Sequence, residues 1–439
     1  MAAQQKFAAT VILLYMLFSF SAGKGGAEEN SAGAAPSLDQ IINQALAQNP
    51  ELKANEARWE AFVQKARQAG SLEDPMLMLR VQNLLIRDPF AFDREVMTAK
   101  VIGVSQTVPF FGKRDLQREV ASQDAEAYRW VLAERKIELT RMVKEAWYQL
   151  LFIDRSLEIV EKNIGVLDDL NRLSETLYGV GQGMQQDVLM AQVERSKMEE
   201  MRISLGQQRR SLEISLNILR FMPADTTITP TASLELTDPP LDATQLEELA
   251  LSSRPRLKEI AAAEERARSA QALAEKEIFP DATFTLEYMQ RDPAMDEPGD
   301  DMYAAGMTIN LPVQHDRRHA MVAEAAAELR MAQAERDMTI NQIREGIANA
   351  LARMDRAKRL ASLYTQSIIP QADQALQAAM AAYGSGTADF PAVLDSQNAL
   401  FTFEREGIEA IADYQMQLAV LEATVGKALP QGQETRELP

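Results

Sequence analysis

A duplication constrains this chain more than any other feature. Leu38–Leu52 and Ala243–Leu257 share one pattern, with Pro50 standing against Pro255. The match continues downstream: Pro75 pairs with Pro280, Tyr178 with Tyr383 and Gly181 with Gly386, each 205 positions apart. Between them Gly103 pairs with Gly306, Pro109 with Pro312 and Arg114 with Arg317, at a separation of 203. Ordered agreement of so many punctuating residues marks an internal repeat. The copies are expected over 37–221 and 241–428. A Pro/Thr-rich linker joins them at 222–240, and a short tail follows at 429–439.

Each copy has the same plan. Two helices come first: Ser37 is placed to cap one, and Asn49-Pro50 starts the next with proline at the first helical position. Two strands follow. Ala282, Phe284, Leu286 and Tyr288 alternate with Thr283, Thr285 and Glu287, and Met307–Leu311 alternates likewise. In the first copy Leu77, Leu79 and Val81 alternate with Met78, Arg80 and Gln82, and Ile102, Val104 and Val108 share a face. The charged, proline-containing segments 86–95 and 291–301 are loops between the strands.

A very long helix comes next. Lys113 to about Leu177 contains no proline and would reach about 100 Å at 1.5 Å per residue. Its apolar positions are Leu139, Val143, Ala146, Leu150, Ile153, Leu157, Val160, Ile164 and Leu167. Steps of four and three make a heptad seam with left-handed supercoiling. The second copy repeats the seam at Ile343, Ile347, Ala350, Met354, Ala357, Ala361, Tyr364 and Ile368, and Pro370 is expected to kink it or interrupt its hydrogen bonds. Glycine turns at Tyr178–Gly181 and Tyr383–Gly386 end both helices. Return helices are expected over about 186–219 and 391–425.

The strand count decides how the strands are used. Apolar on one face and polar on the other, they suit a membrane barrel or a half-buried soluble sheet equally. Four strands cannot close a barrel around water, and open edges do not survive in lipid. Either the sheet stays open or several chains share one barrel; three chains would supply twelve strands.

Composition removes other classes. The 439 residues contain no cysteine, which excludes disulfides, thiolate metal sites and a lipidated N-terminal cysteine. A net charge of −18 argues against nucleic-acid partners. Only His315 and His319 offer imidazole. Lys6, the apolar run Phe7–Phe20 and the small residues Ser21, Ala22, Gly23 and Ala27 read as an export signal over 1–23, with cleavage expected near Gly23 or Ala27.

On these residues the chain resembles the TolC-like outer membrane efflux proteins. The most specific stretches are Ser105–Arg114, Ile369–Ala372, Ala382–Gly386 and Phe390–Gln397. The resemblance implies a mainly α fold with a small β part. Four transmembrane strands per chain would contribute to a trimeric 12-stranded barrel, and long coiled-coil hairpins would form a periplasmic tunnel. It implies an outer-membrane homotrimer that docks a periplasmic adaptor and an inner-membrane pump of the RND kind, with no catalytic step, cofactor or bound metal. A type I protein secretion channel and a periplasmic coiled-coil adaptor are the other readings. The segment Phe111–Arg114 resembles heavy-metal efflux members.

The resemblance also points to a gate at the tunnel tip. Asp395 and Asp187 match tip aspartates of the family, and Tyr383 matches a tyrosine associated with its latch. Ala392 stands where some members have a further aspartate, and Ala388 where some have a gating arginine. Asp389 is a substitute acid at a non-equivalent position. A ring of carboxylates in a narrow tunnel attracts cations; helix capping accounts for Asp187 and Asp389 equally well. Two further signals are set aside. His315 and His319 lack the glutamate of a zinc-protease motif. Met76 with Met78, and Met198 with Met201, make no convincing cluster, and methionine is commonly packing material.

Overall fold

The computed structural model describes residues 36–429, except 231–235 and 237–241. The expected export signal, most of the tail and part of the linker lie outside the described residues. The elements are α1 (Leu38–Gln48), α2 (Pro50–Ala69), β1 (Met76–Gln82), β2 (Ala99–Val108), α3 (Lys113–Gly179), α4 (Gln185–Leu219), α5 (Ala243–Ser253), α6 (Pro255–Lys276), β3 (Ala282–Gln290), β4 (Met302–Ile309), α7 (His315–Leu363), a π-turn (Tyr364–Ile368), α8 (Ile369–Gly384) and α9 (Phe390–Val425).

Local sequence sets the boundaries. Ser37 and Gln40 form a capping box at α1. Asn49 accepts from the backbone N–H groups of Glu51 and Leu52, and Pro50 opens α2. The heptad seam of α3 is buried at Leu139, Val143, Leu150, Ile153, Val160, Ile164 and Leu167. Ala146 and Leu157 are only half-buried, and Trp147 takes the core position beside Ala146. The reason is that α3 packs on several neighbours, α1, α2, α4, α6 and α9, so its apolar surface is wider than one seam. In the second copy β4 ends at Ile309, so Leu311, expected in the strand, lies beyond it.

Three apolar cores run along the helices. One joins α1 to α3 and the end of α4, a second joins α5, α7 and α9, and the third gathers α3, α4, α8 and α9 towards the glycine turns. Inside the third, Asn163 of α3 meets Gln397 of α9 and donates to the Met198 sulfur of α4 at 3.0 Å. A buried polar contact of this kind fixes helix register, because sliding would leave its atoms unpaired.

The strands form one antiparallel meander, β1-β2-β3-β4, in which the copies meet at β2 and β3. Leu77, Leu79, Val81, Ile102, Val104, Phe284, Leu286, Tyr303, Met307 and Ile309 share one face. All of these are exposed, Leu79 to 71%. The other face carries Arg80, Ser105, Thr107, Thr283, Thr285, Glu287 and Thr308, with Arg80 and Glu287 paired at 3.1 Å. The two hairpins are not identical. Met76 pairs with Ser105, which the repeat separations carry to Asp281 and Thr308, yet Thr308 pairs with Thr283. A two-residue slip leaves every side chain on its own face.

The copies are also tied where strand becomes helix. Gly112 adopts φ +82°, a left-handed conformation that glycine accepts without strain, and a Cβ there would lie 2.3 Å from Lys276 Nζ. The turn buries Lys113, which donates to the Phe279 carbonyl at 3.0 Å and pairs with Asp281 at 3.0 Å and Glu277 at 3.3 Å. Asp281 also accepts from the Phe110 N–H at 2.8 Å. The sequence motif Phe111-Gly-Lys-Arg114 is thus a bolt: its lysine crosses from one copy into the other.

Candidate functional site

The candidate site lies at the far end of the hairpins from the sheet. α3 ends in the Val180–Met184 turn and α8 in the Ser385–Asp389 turn, with Gly181 and Gly386 at φ +76° and +72°. Asp187 stands in the first turn of α4, where its carboxylate reaches back to the Met184 N–H at 3.4 Å. That is the capping role, and it is not the whole of it. The Tyr383 hydroxyl of α8 donates to the same Asp187 oxygen at 3.1 Å, with both residues buried.

This contact joins the second hairpin to the first. Tyr383 also packs on Phe390 with ring centroids 5.2 Å apart, which fixes the phenol's direction. Burial first, then the hydrogen bond and charge of Asp187, push the Tyr383 pKa up to about 12. The phenol therefore keeps its proton at physiological pH and remains a donor.

Asp389 and Asp395 are not brought into this contact; both are exposed. Asp389 is the N-cap residue of α9, but its side chain makes no cap hydrogen bond. His315 and His319 are exposed in the first turns of α7. Among the described residues no three His, Cys, Asp or Glu side chains converge as a metal site. Met198 is buried and Met201 packs beside it, so this pair belongs to the core.

The interruption of hydrogen bonding expected at Pro370 takes the form of a π-turn at Tyr364–Ile368. Ile369 N–H donates to the Tyr364 carbonyl, five residues back, because Pro370 has no N–H with which to continue the ladder. Tyr364 donates to Glu406 at 2.7 Å, and this bond raises its pKa. Gly407 faces the π-turn closely; a Cβ there would lie 3.3 Å from Tyr364 Cβ and Ile369 Cδ1. The first copy has no such break: α3 runs 67 residues without interruption. Tyr383 is therefore carried on the helix with the interruption, and Asp187 beside the continuous one.

Comparison with known proteins assigns the architecture. The family model of the outer membrane efflux protein matches residues 41–221 and again 246–427. The chain belongs to the outer membrane efflux protein family. The double match shows the internal repeat, and export across the outer membrane is the family's function and location. The outer membrane protein VceC of Vibrio cholerae has a similar fold, at a TM-score of 0.75 and 19% identity over 89% of this chain and 96% of that one. The channel protein CusC matches at 0.75 and 17% identity over 90% and 96%. The Neisseria gonorrhoeae outer membrane channel MtrE, solved in its open state, matches at 0.74 and 16% over 92% of both chains. No curated protein sequence matches significantly. This efflux protein therefore has the fold expected from its strands and heptads.

Proposed function

We propose that three copies close a twelve-stranded barrel and a helical tunnel, which an adaptor and an inner-membrane pump load from the periplasmic side. The observation that carries this is the sheet: its exposed apolar face and two unpaired edge strands, β1 and β4, need lipid and partner strands. The helices repeat the pattern. Leu394 on α9 is 6% exposed, whereas its repeat equivalent Leu189 on α4 is 53% exposed. The neighbouring protomer's second hairpin is the cover for Leu189, as α3 and α4 are for Leu394.

In this reading the Tyr383–Asp187 contact holds the tunnel tip closed, and the π-turn lets α8 swing when it breaks. A hydrogen bond to a buried charge contributes about 1.5–3 kcal/mol. Tyr383→Phe should therefore raise the open-to-closed ratio by roughly tenfold or more, read as single-channel conductance in planar bilayers. Asp187→Asn should act in the same direction. Conductance and open time matching the native channel in both variants would remove the clasp from the gate.

Asp395, exposed on α9, is the candidate for an acidic ring at the tip. Asp395→Ala should weaken block of the channel by trivalent cations about tenfold. Block at the native concentration would exclude Asp395 from the ring.

A further inference from the structure

We propose that the water-facing wall of the sheet carries a thioether ladder that binds soft monovalent cations of the silver(I) and copper(I) class. It rests on the reading that the polar face lines the barrel lumen. Four methionines lie on that face. Met76 stands on the rung of Ser105, Thr285 and Gly306. Met78 stands on the next, with Gly103 and Glu287, and Met289 and Met302 are directly opposed on the third, with Arg80. Rungs on one face are about 7 Å apart, so the sulfurs form a stair towards the loops, repeated in each protomer.

Packing accounts for the buried methionines, such as Met198 and Met354, but not for these. In the single chain Met76 is 60% exposed and Met302 49%, and both stand on the polar face, where the strand pattern calls for a polar residue. Gly103 leaves room for a close approach. A Cβ there would sit 3.0 Å from Met78 Cε and 3.1 Å from Glu287 Cγ, so thioether and carboxylate stem converge over it. The Met289 sulfur lies 3.8 Å from Gln82 Nε2, which turns it towards the same face.

The chemistry selects the ligand. Thioethers are soft, neutral donors that favour monovalent silver and copper over hard cations. With no cysteine in the chain and both histidines outside the sheet, they are the soft donors of this wall. Neutral donors bind weakly enough to release, which a conduit needs. The net charge of −18 favours cation entry.

The test is titration of the full-length, detergent-solubilised protein with silver nitrate in chloride-free buffer, followed by calorimetry. The variant M76L/M78L/M289L/M302L keeps side-chain volume and should lose at least one silver ion per chain, or bind it at least tenfold more weakly. Met307→Leu, on the lipid face, should match the native protein. Equal stoichiometry and affinity in native and quadruple variant would overturn the ladder. If inter-chain disulfides form between β1 and β4 as expected below while silver uptake is unchanged, the ladder alone fails. If no such disulfide forms, the barrel reading beneath it fails as well.

Discussion

A cysteine at Thr308 should cross-link to one of three β1 cysteines, at Met78, Arg80 or Gln82, and convert the protein to a covalent trimer under oxidation. All four positions lie on the water-facing side. β1 and β4 are opposite edges of one chain's sheet, three strand spacings apart. That is roughly 14 Å, well beyond the ~7 Å Cα limit for a disulfide. Any bond between them therefore joins two chains. The native protein has no cysteine, so the result is free of background.

Three partners are needed because the hairpins differ by a two-residue slip. The repeat therefore transfers the β2–β3 register to the β4–β1 junction only to within one rung. The model for the junction is close at hand: Thr107 and Thr283 face each other with hydroxyl oxygens 3.0 Å apart. One pair should give nearly complete trimer on non-reducing gels, and its neighbours little. Monomer bands alone from all three pairs would refute closure by edge pairing. Arg80 leaves an ion pair with Glu287 when replaced, but that pair is partly exposed and costs little.

The second large effect is expected at Lys113. Its side chain is buried, whereas Glu277 and Asp281 keep about a third of their surface. Lys113→Met fills the same space and deletes the charge. Two carboxylates and the Phe279 carbonyl then share one site without a cation, and the loss should be about 3 kcal/mol. Because Lys113 ties the first copy to the second, the damage should appear as an earlier thermal midpoint of the detergent-solubilised trimer. Lys100→Met removes a more exposed ion pair, with Asp292 at 2.9 Å, and should shift the midpoint far less. Equal shifts would show that the buried Lys113 cluster contributes no more than an exposed ion pair.

The fold was legible in the sequence where local rules and burial agree. Ser37 and Asn49 cap helices with their own side chains. The heptads of α3 name most of its buried positions, with Ala146 and Leu157 only half-buried and Trp147 in the core instead. Alternation in Ala282–Tyr288 assigns both faces of β3. The candidate site was half legible. Asp187 and Tyr383 were chosen separately, on resemblance, and nothing in their spacing of 196 residues says that they touch. Asp395 was chosen by the same reasoning and Asp389 as a substitute acid at a non-equivalent position; both lie exposed on the tip, because a helix's partners are set by the bundle and not by its own periodicity.

What the sequence by itself determined is the repeated unit: its helices, strands, turns and the face each buries. Those depend on interactions within a few residues and on periods of two and 3.6. Only the tertiary structure decided how the copies meet. The β2–β3 pairing, the Lys113 bolt, the Tyr383–Asp187 clasp and the π-turn facing Gly407 join residues far apart in the chain. They also separate the copies beyond the difference that Pro370 already marks in the sequence, where one long helix runs unbroken and the other is interrupted because proline withholds its N–H.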